Sequence, residues 1–234
     1  MSADIPFTPL VEPYGDPTPP AILLFDWDNT LVDTWPVIHA SLADVFLHMG
    51  HEPWTLEEVR TRVRHSLRDS FPVLFGDRWE EARDVFYAAF ERRHIEALAP
   101  APDAEALLQA AHDRGLTLGV VSNKTGGYLR KEAAHLGWER YFGALVGAGD
   151  AARDKPDLAA VHHALQAMGV AEDHDPARIW FIGDSNVDMQ VAHAAGCLPV
   201  LIRPDAGPPG EFERWPPALH LPDCAALARL VTAL

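Results

Sequence analysis

Cysteine is nearly absent from this 234-residue chain, which carries two, Cys197 and Cys224. Two are too few for a disulfide framework and fit a reducing compartment, so free thiols are expected, a single bridge being the alternative. Basic residues are scarce as well: 19 Lys and Arg face 34 Asp and Glu, for a formal net charge of −15. That balance repels nucleic acid and anionic membrane surfaces and offers neither an electrostatic footprint. An anionic substrate then needs a locally positive pocket. No apolar run approaches the roughly 20 residues needed to cross a bilayer, and no basic stretch followed by an apolar one opens the chain. A cytoplasmic location is the expectation, with neither nucleic acid nor membrane as partner. Internal repeats and charged low-complexity blocks are missing too. What is present is 48% hydrophobic residues, enough for a real core.

Residues 1–20 are rich in proline and lack apolar periodicity, which predicts an irregular arm. Ala21–Phe25 follows as a short, continuous apolar run that ends in acids, the pattern of a buried parallel strand. Leu116–Val121, Ala144–Val146, Ile179–Ile182 and Leu198–Ile202 read the same way. Between most of them lie helical patterns, Ala104–Arg114, Tyr128–Leu136 and Leu158–Met168. Strands alternating with helices predict an α/β fold, a Rossmann-like doubly wound parallel sheet whose ligands bind beyond the carboxyl ends of the strands. The stretch 35–99 breaks the alternation. It reads as helices only, Val37–Met49, Leu56–His65 and Trp79–Leu98, with a loop around Pro72 to Asp77. The simplest account is an all-helical insertion at 35–99 in a core of 21–34 and 100–234. Pro204 to Pro217 reads as loop and Cys224–Leu234 as a closing helix.

The residues just past the strands carry the chemistry. Asp26-Trp27-Asp28-Asn29-Thr30 places two carboxylates two residues apart at the mouth of the sheet, a crowding of like charge that a cation or a proton must relieve. Ser122-Asn123 ends the second strand with a hydroxyl and an amide suited to phosphate oxygens; a simple helix cap would explain Ser122 taken alone. Lys155-Pro156 follows the third strand, where an isolated lysine would be an ordinary surface charge. Gly183-Asp184-Ser185-Asn186-Val187-Asp188 follows the fourth, with acids at i and i+4 that would also suit a helix N-terminus. Trp27 and Trp35 invite stacking on a substrate, although packing is the commoner use of tryptophan.

Taken together and in this order, Asp26–Thr30, Ser122-Asn123, Lys155-Pro156 and Gly183–Asp188 resemble the four motifs of the haloacid dehalogenase superfamily, over roughly residues 21–205. The helical insertion after the first motif is similar to the cap of the subfamily that includes phosphoglycolate phosphatases. Asn29 stands where many relatives have Gly. The resemblance implies a phosphatase acting on a small phosphorylated metabolite. Asp26 is then the nucleophile that forms an aspartyl-phosphate, and Asp28 the general acid and base. Ser122, Asn123 and Lys155 bind the phosphoryl group. The cofactor implied is Mg2+, held by Asp26, the backbone carbonyl of Asp28 and Asp184, with Asp188 as an auxiliary ligand or a group that orients Lys155. Cap helices would close over the substrate. Alternatives are a phosphomutase of the same superfamily, similar to beta-phosphoglucomutase, and a non-catalytic phosphate-binding regulatory relative. Schiff-base cleavage of a phosphonate needs a cap lysine, and 35–99 contains none.

Overall fold

The structure, a computed structural model, describes residues 17–63 and 67–233. Most of the expected N-terminal arm, residues 1–16, and the expected helical end at His65 lie outside the described residues. The contacts divide the chain into a unit of residues 33–99 and a unit of the remainder.

The larger unit is built on a six-stranded parallel sheet. Its strands are β1 (Ile22–Phe25), β4 (Thr117–Thr125), β5 (Phe142–Ala148), β6 (Ile179–Gly183), β7 (Leu198–Ile202) and β8 (Leu219–Leu221), in the order β5-β4-β1-β6-β7-β8. A second sheet has two strands, β2 (Val32–Asp33) and β3 (Ala99–Pro100), the two segments where the chain passes between units. Every residue of β1 is buried, because helices cover both faces and a strand in the middle of such a sheet meets no water. Ile22 and Leu24 join Val121, Val146, Phe181 and Val191 in one core cluster, while the two-residue period turns Leu23 and Phe25 to the opposite face.

The connecting helices are α5 (Ala104–Asp113), α6 (Gly126–Leu136), α7 (Leu158–Ala167), α8 (Asn186–Ala195) and α9 (Cys224–Ala233). Because β1 pairs with β4 on one side and β6 on the other, the strand order reverses at β1. The carboxyl ends of these three strands therefore border the crevice where doubly wound sheets bind ligands. β4 runs four residues past the expected Val121, so Ser122 and Asn123 belong to the strand itself. β8 is a sixth strand, in a segment to which no element had been assigned.

The smaller unit comprises α1 (Trp35–Met49), α2 (Leu56–Arg62), α3 (Leu67–Phe75) and α4 (Trp79–Arg93), with a 3-10 turn at Gly76–Arg78. α1 ends on Gly50 at φ +78, the left-handed conformation glycine adopts without steric cost. α2 begins at a capping box in which Thr55 and Glu58 satisfy each other's backbone N–H groups. The expected loop at Pro72 is wrong: Pro72 lies inside α3. A proline in a helix interior costs about 3 kcal/mol, but here the helix delivers Phe71 and Phe75 to an aromatic cluster. Phe71 stands 5.9 Å from Phe86, and Phe75 5.6 Å from Phe46. Burying those two rings outweighs the local preference. Helix α4 stops at Arg93, five residues short of the expected Leu98.

Candidate active site

Asp26 follows the last residue of β1 and stays locked to the sheet, its N–H donating to the Ile182 carbonyl at 2.8 Å. The chain then turns: the N–H groups of Leu31 and Val32 both donate to the Trp27 carbonyl, at 3.0 and 3.2 Å. The turn needs a left-handed residue, and Asn29 supplies it at φ +60. Asn is among the few residues other than glycine that tolerate this region, which accounts for its presence there.

The segments that follow β5 and β6 converge on Asp26. Lys155, fully enclosed, places its Nζ 2.9 Å from Asp26 Oδ1 and 2.6 Å from Asp188 Oδ1. The other oxygen of Asp188 accepts from Ser185 Oγ at 2.6 Å and Ser185 N at 3.0 Å, so Asp188 both caps α8 and holds the lysine. One carboxylate oxygen each from Asp26, Asp184 and Asp188 lie within 4.8 Å of one another.

Electrostatics follow from this crowding. Burial pushes the Asp26 carboxyl up to about 6; Lys155 opposes the shift, and Asp188 and Asp28 add to it. Burial, then Asp188 and Asp26, raise Asp184 well above the usual carboxylate range. For Lys155, burial alone would lower the pKa, but Asp188 and Asp26 outweigh it and the shift is upward. Three acids sharing one ammonium leave an excess of negative charge, and the donors are hard carboxylate oxygens. Such a set fits a divalent cation of the magnesium type.

Of the other expected residues, Ser122 is buried on β4 and its Oγ accepts from Lys124 N at 3.2 Å. Asn123 donates through its amide to the Lys155 backbone carbonyl at 3.0 Å, which ties the second motif to the third. The Asp28 carboxylate meets Lys124 Nζ at 2.5 Å. Trp27 packs rather than presenting a stacking face: it is fully buried, 5.8 Å from Trp138 and 6.5 Å from Phe142.

Three charged residues of this region carried no expectation. Arg203, just past β7, reaches the Asp184 carbonyl at 3.3 Å and is itself held by Asp205 and Glu211. Lys124 and Glu132 are both buried, 2.8 Å apart. Glu132 was detectable as an acid flanked by Leu129 and Ala133 on the apolar stripe of α6, where a charged side chain requires a buried partner.

A doubly wound α/β core with an acidic cluster and a buried lysine at the switch point is an arrangement suited to handling a phosphoryl group. A family-wide profile described as "Haloacid dehalogenase-like hydrolase" matches residues 23–202. The chain belongs to that family. It is 30% identical over 185 residues to a phosphoglycolate phosphatase of Neisseria meningitidis, covering 75% of this chain and 77% of that one. A Pseudomonas putida phosphoglycolate phosphatase is 28% identical over 222 residues, or 90% of this chain and 79% of its own length. Among solved structures, a haloacid dehalogenase-like hydrolase of Streptococcus pneumoniae superposes with TM-score 0.78 at 22% identity, covering 90% of this chain and 98% of that one. A Thermotoga maritima chain provisionally named a beta-phosphoglucomutase superposes with TM-score 0.73 at 18% identity over 91% of this chain and 99% of its own, a likeness of fold alone. Family and relatives together make the chain an enzyme of the phosphatase class. No helix among the described residues is long and apolar enough to cross a membrane.

Proposed function

We propose that this phosphatase is magnesium-dependent and hydrolyses a small phosphate monoester, phosphoglycolate or a close chemical relative, through an aspartyl-phosphate on Asp26. The observation that carries the reading is the buried pairing of Asp26 with Lys155, braced by Asp188 and flanked by Asp184. Relatives named as phosphoglycolate phosphatases support the substrate class.

The Asp26 carboxylate attacks phosphorus in line and the ester oxygen leaves, splitting one difficult displacement into two easier ones. Lys155 balances charge on the carboxylate and the phosphoryl oxygens as negative charge spreads in the transition state. Ser122 and Asn123 orient the phosphoryl group. Asp28 gives a proton to the leaving oxygen and then takes one from the water that hydrolyses the acyl phosphate. Asp26, Asp184 and the Asp28 backbone carbonyl would hold magnesium, which would supply positive charge to mask the carboxylates and polarise the phosphoryl oxygens. Asp188 keeps Lys155 in register. Buried free thiols at Cys197 and Cys224 accord with a cytoplasmic enzyme.

The test is phosphate release from a panel of small esters, phosphoglycolate and sugar phosphates included, with magnesium and with chelator, for the wild type and Asp26→Asn. Magnesium-dependent release that the substitution abolishes is the expected result. Release that survives Asp26→Asn removes the nucleophile from the mechanism. Isomerisation of a sugar phosphate without net release identifies a mutase instead.

A further inference from the structure

Two buried charges beside this site have no part in the mechanism above. Lys124 lies on β4 two residues beyond Ser122, with its side chain 3% exposed, and its Nζ stands 2.5 Å from Asp28 Oδ1 and 2.8 Å from Glu132 Oε2. Glu132, on α6 and 1% exposed, accepts the Trp27 indole N–H on that same oxygen at 2.7 Å. The turn Asp26-Trp27-Asp28 is thus held at two consecutive residues by one charged network, Trp27 through Glu132 and Asp28 through Lys124. Trp27 in turn is wedged against Trp138 and Phe142.

Stability alone does not account for these charges. Taking a lysine and a glutamate out of water is costly, and a well-packed apolar pair of the same volume commonly serves as well or better. The charges are nonetheless matched by geometry, since one ammonium meets a carboxylate oxygen of Asp28 and one of Glu132. The Asp28 side chain is 27% exposed, so solvent alone would support several rotamers of its carboxylate. A general acid works only from one, within hydrogen-bond reach of the atom it protonates, and small misplacements carry large losses.

We propose that Lys124, steered by Glu132, is a positioning residue: by holding Oδ1 of the Asp28 carboxyl group it fixes the orientation in which the protonated acid, its proton on Oδ2, hands that proton to the leaving oxygen and is left as the carboxylate. The inference rests on the phosphatase reading with Asp28 as general acid. It assigns no contact with substrate to Lys124.

The test compares kcat/KM for p-nitrophenyl phosphate, whose phenolate leaves with little protonation, and for an alkyl phosphate, whose alkoxide cannot. Lys124→Met leaves Glu132 buried without its lysine and is prone to unfold; Lys124→Met/Glu132→Gln removes both charges and keeps an acceptor for Trp27, so the double variant carries the measurement. The expected result is a loss of about 10²-fold on the alkyl ester with the nitrophenyl ester within about threefold of wild type. Equal losses on both esters reduce Lys124 to a structural role and overturn the proposal, as does undiminished activity on both. A wild type silent toward every ester sinks the phosphatase reading itself and this inference with it. An active wild type with uniform losses in the variant sinks the positioning role alone.

Discussion

Lys155→Met removes the ammonium from the centre of the acidic cluster while keeping the volume of the side chain. At an effective dielectric constant of about 20, unit charges separated by the 2.6 Å and 2.9 Å of the Asp188 and Asp26 pairs attract by roughly 6 kcal/mol each before desolvation is counted. Burial of the lysine, 2% exposed at its side chain, offsets much of that gain. The net cost of deleting one partner of a buried pair is about 3–5 kcal/mol, because carboxylates remain in the interior without a counter-charge. For a chain of this size each kcal/mol lowers the melting temperature by about 2–4 °C, so the midpoint should fall by roughly 6–20 °C. Thermal unfolding followed by circular dichroism in chelator reads this directly. The matching control is Lys155→Met/Asp188→Asn, which takes away one orphaned charge yet keeps an oxygen to accept from Ser185. It should recover part of the loss although it removes a second native contact. A single variant within about 1 kcal/mol of wild type, or a double variant less stable than the single, would refute the charge argument.

Gly147→Ala should destabilise the larger unit by about 1–3 kcal/mol or more. A Cβ there would lie 2.5 Å from both Gly126 Cα and the Lys124 carbonyl oxygen, backbone atoms that cannot rotate aside; an unchanged urea midpoint would mean that β4 and β5 can part at this point. Burial pushes the Cys197 thiol from 9.0 up to about 12. Below pH 9 the thiol is protonated folded or unfolded and contributes no pH dependence, whereas above it the unfolded chain releases the proton more readily and stability falls as pH rises toward 12. Iodoacetamide at pH 8 should therefore leave Cys197 unmodified until denaturant is added, by mass spectrometry; labelling of the native protein at the denatured rate would contradict its burial.

The sheet was legible because a strand enclosed on both faces needs an uninterrupted apolar run, and Ile22–Phe25, Ile179–Ile182 and Leu198–Ile202 are such runs, with acids just past the first two marking one edge. β4 was less so. Its last four residues, Ser122 to Thr125, are polar and read as loop, yet after a break in register beyond Val121 the strand pairs again with β5, Thr125 against Ala148. The helix through Pro72 was hidden because local proline chemistry argues against it and the rings that overrule it, Phe46 and Phe86, lie far away in sequence. The same limit applies at the site. Asp26, Lys155, Asp184 and Asp188 announce themselves at strand ends, whereas Lys124, Glu132 and Arg203 acquire meaning only through partners 96, 105 and 19 residues distant, Asp28, Trp27 and Asp184.

Lysine occurs three times in the chain, at 124, 131 and 155, and two of the three are buried at the first motif. Each bridges one aspartate of the Asp26-Trp27-Asp28 turn to a second acid that anchors it: Lys155 joins Asp26 to Asp188, and Lys124 joins Asp28 to Glu132. The duplication gives different partners to two carboxylates that the sequence sets only two positions apart. Asp26 is drawn into a buried cluster with Asp184 and Asp188, and Asp28 is paired with Lys124, its side chain 27% exposed against 11% for Asp26. Paired carboxylates take distinct parts in catalysis when their surroundings differ. Here that difference is built from two lysines, which with Arg203 bring local positive charge to a chain of net charge −15.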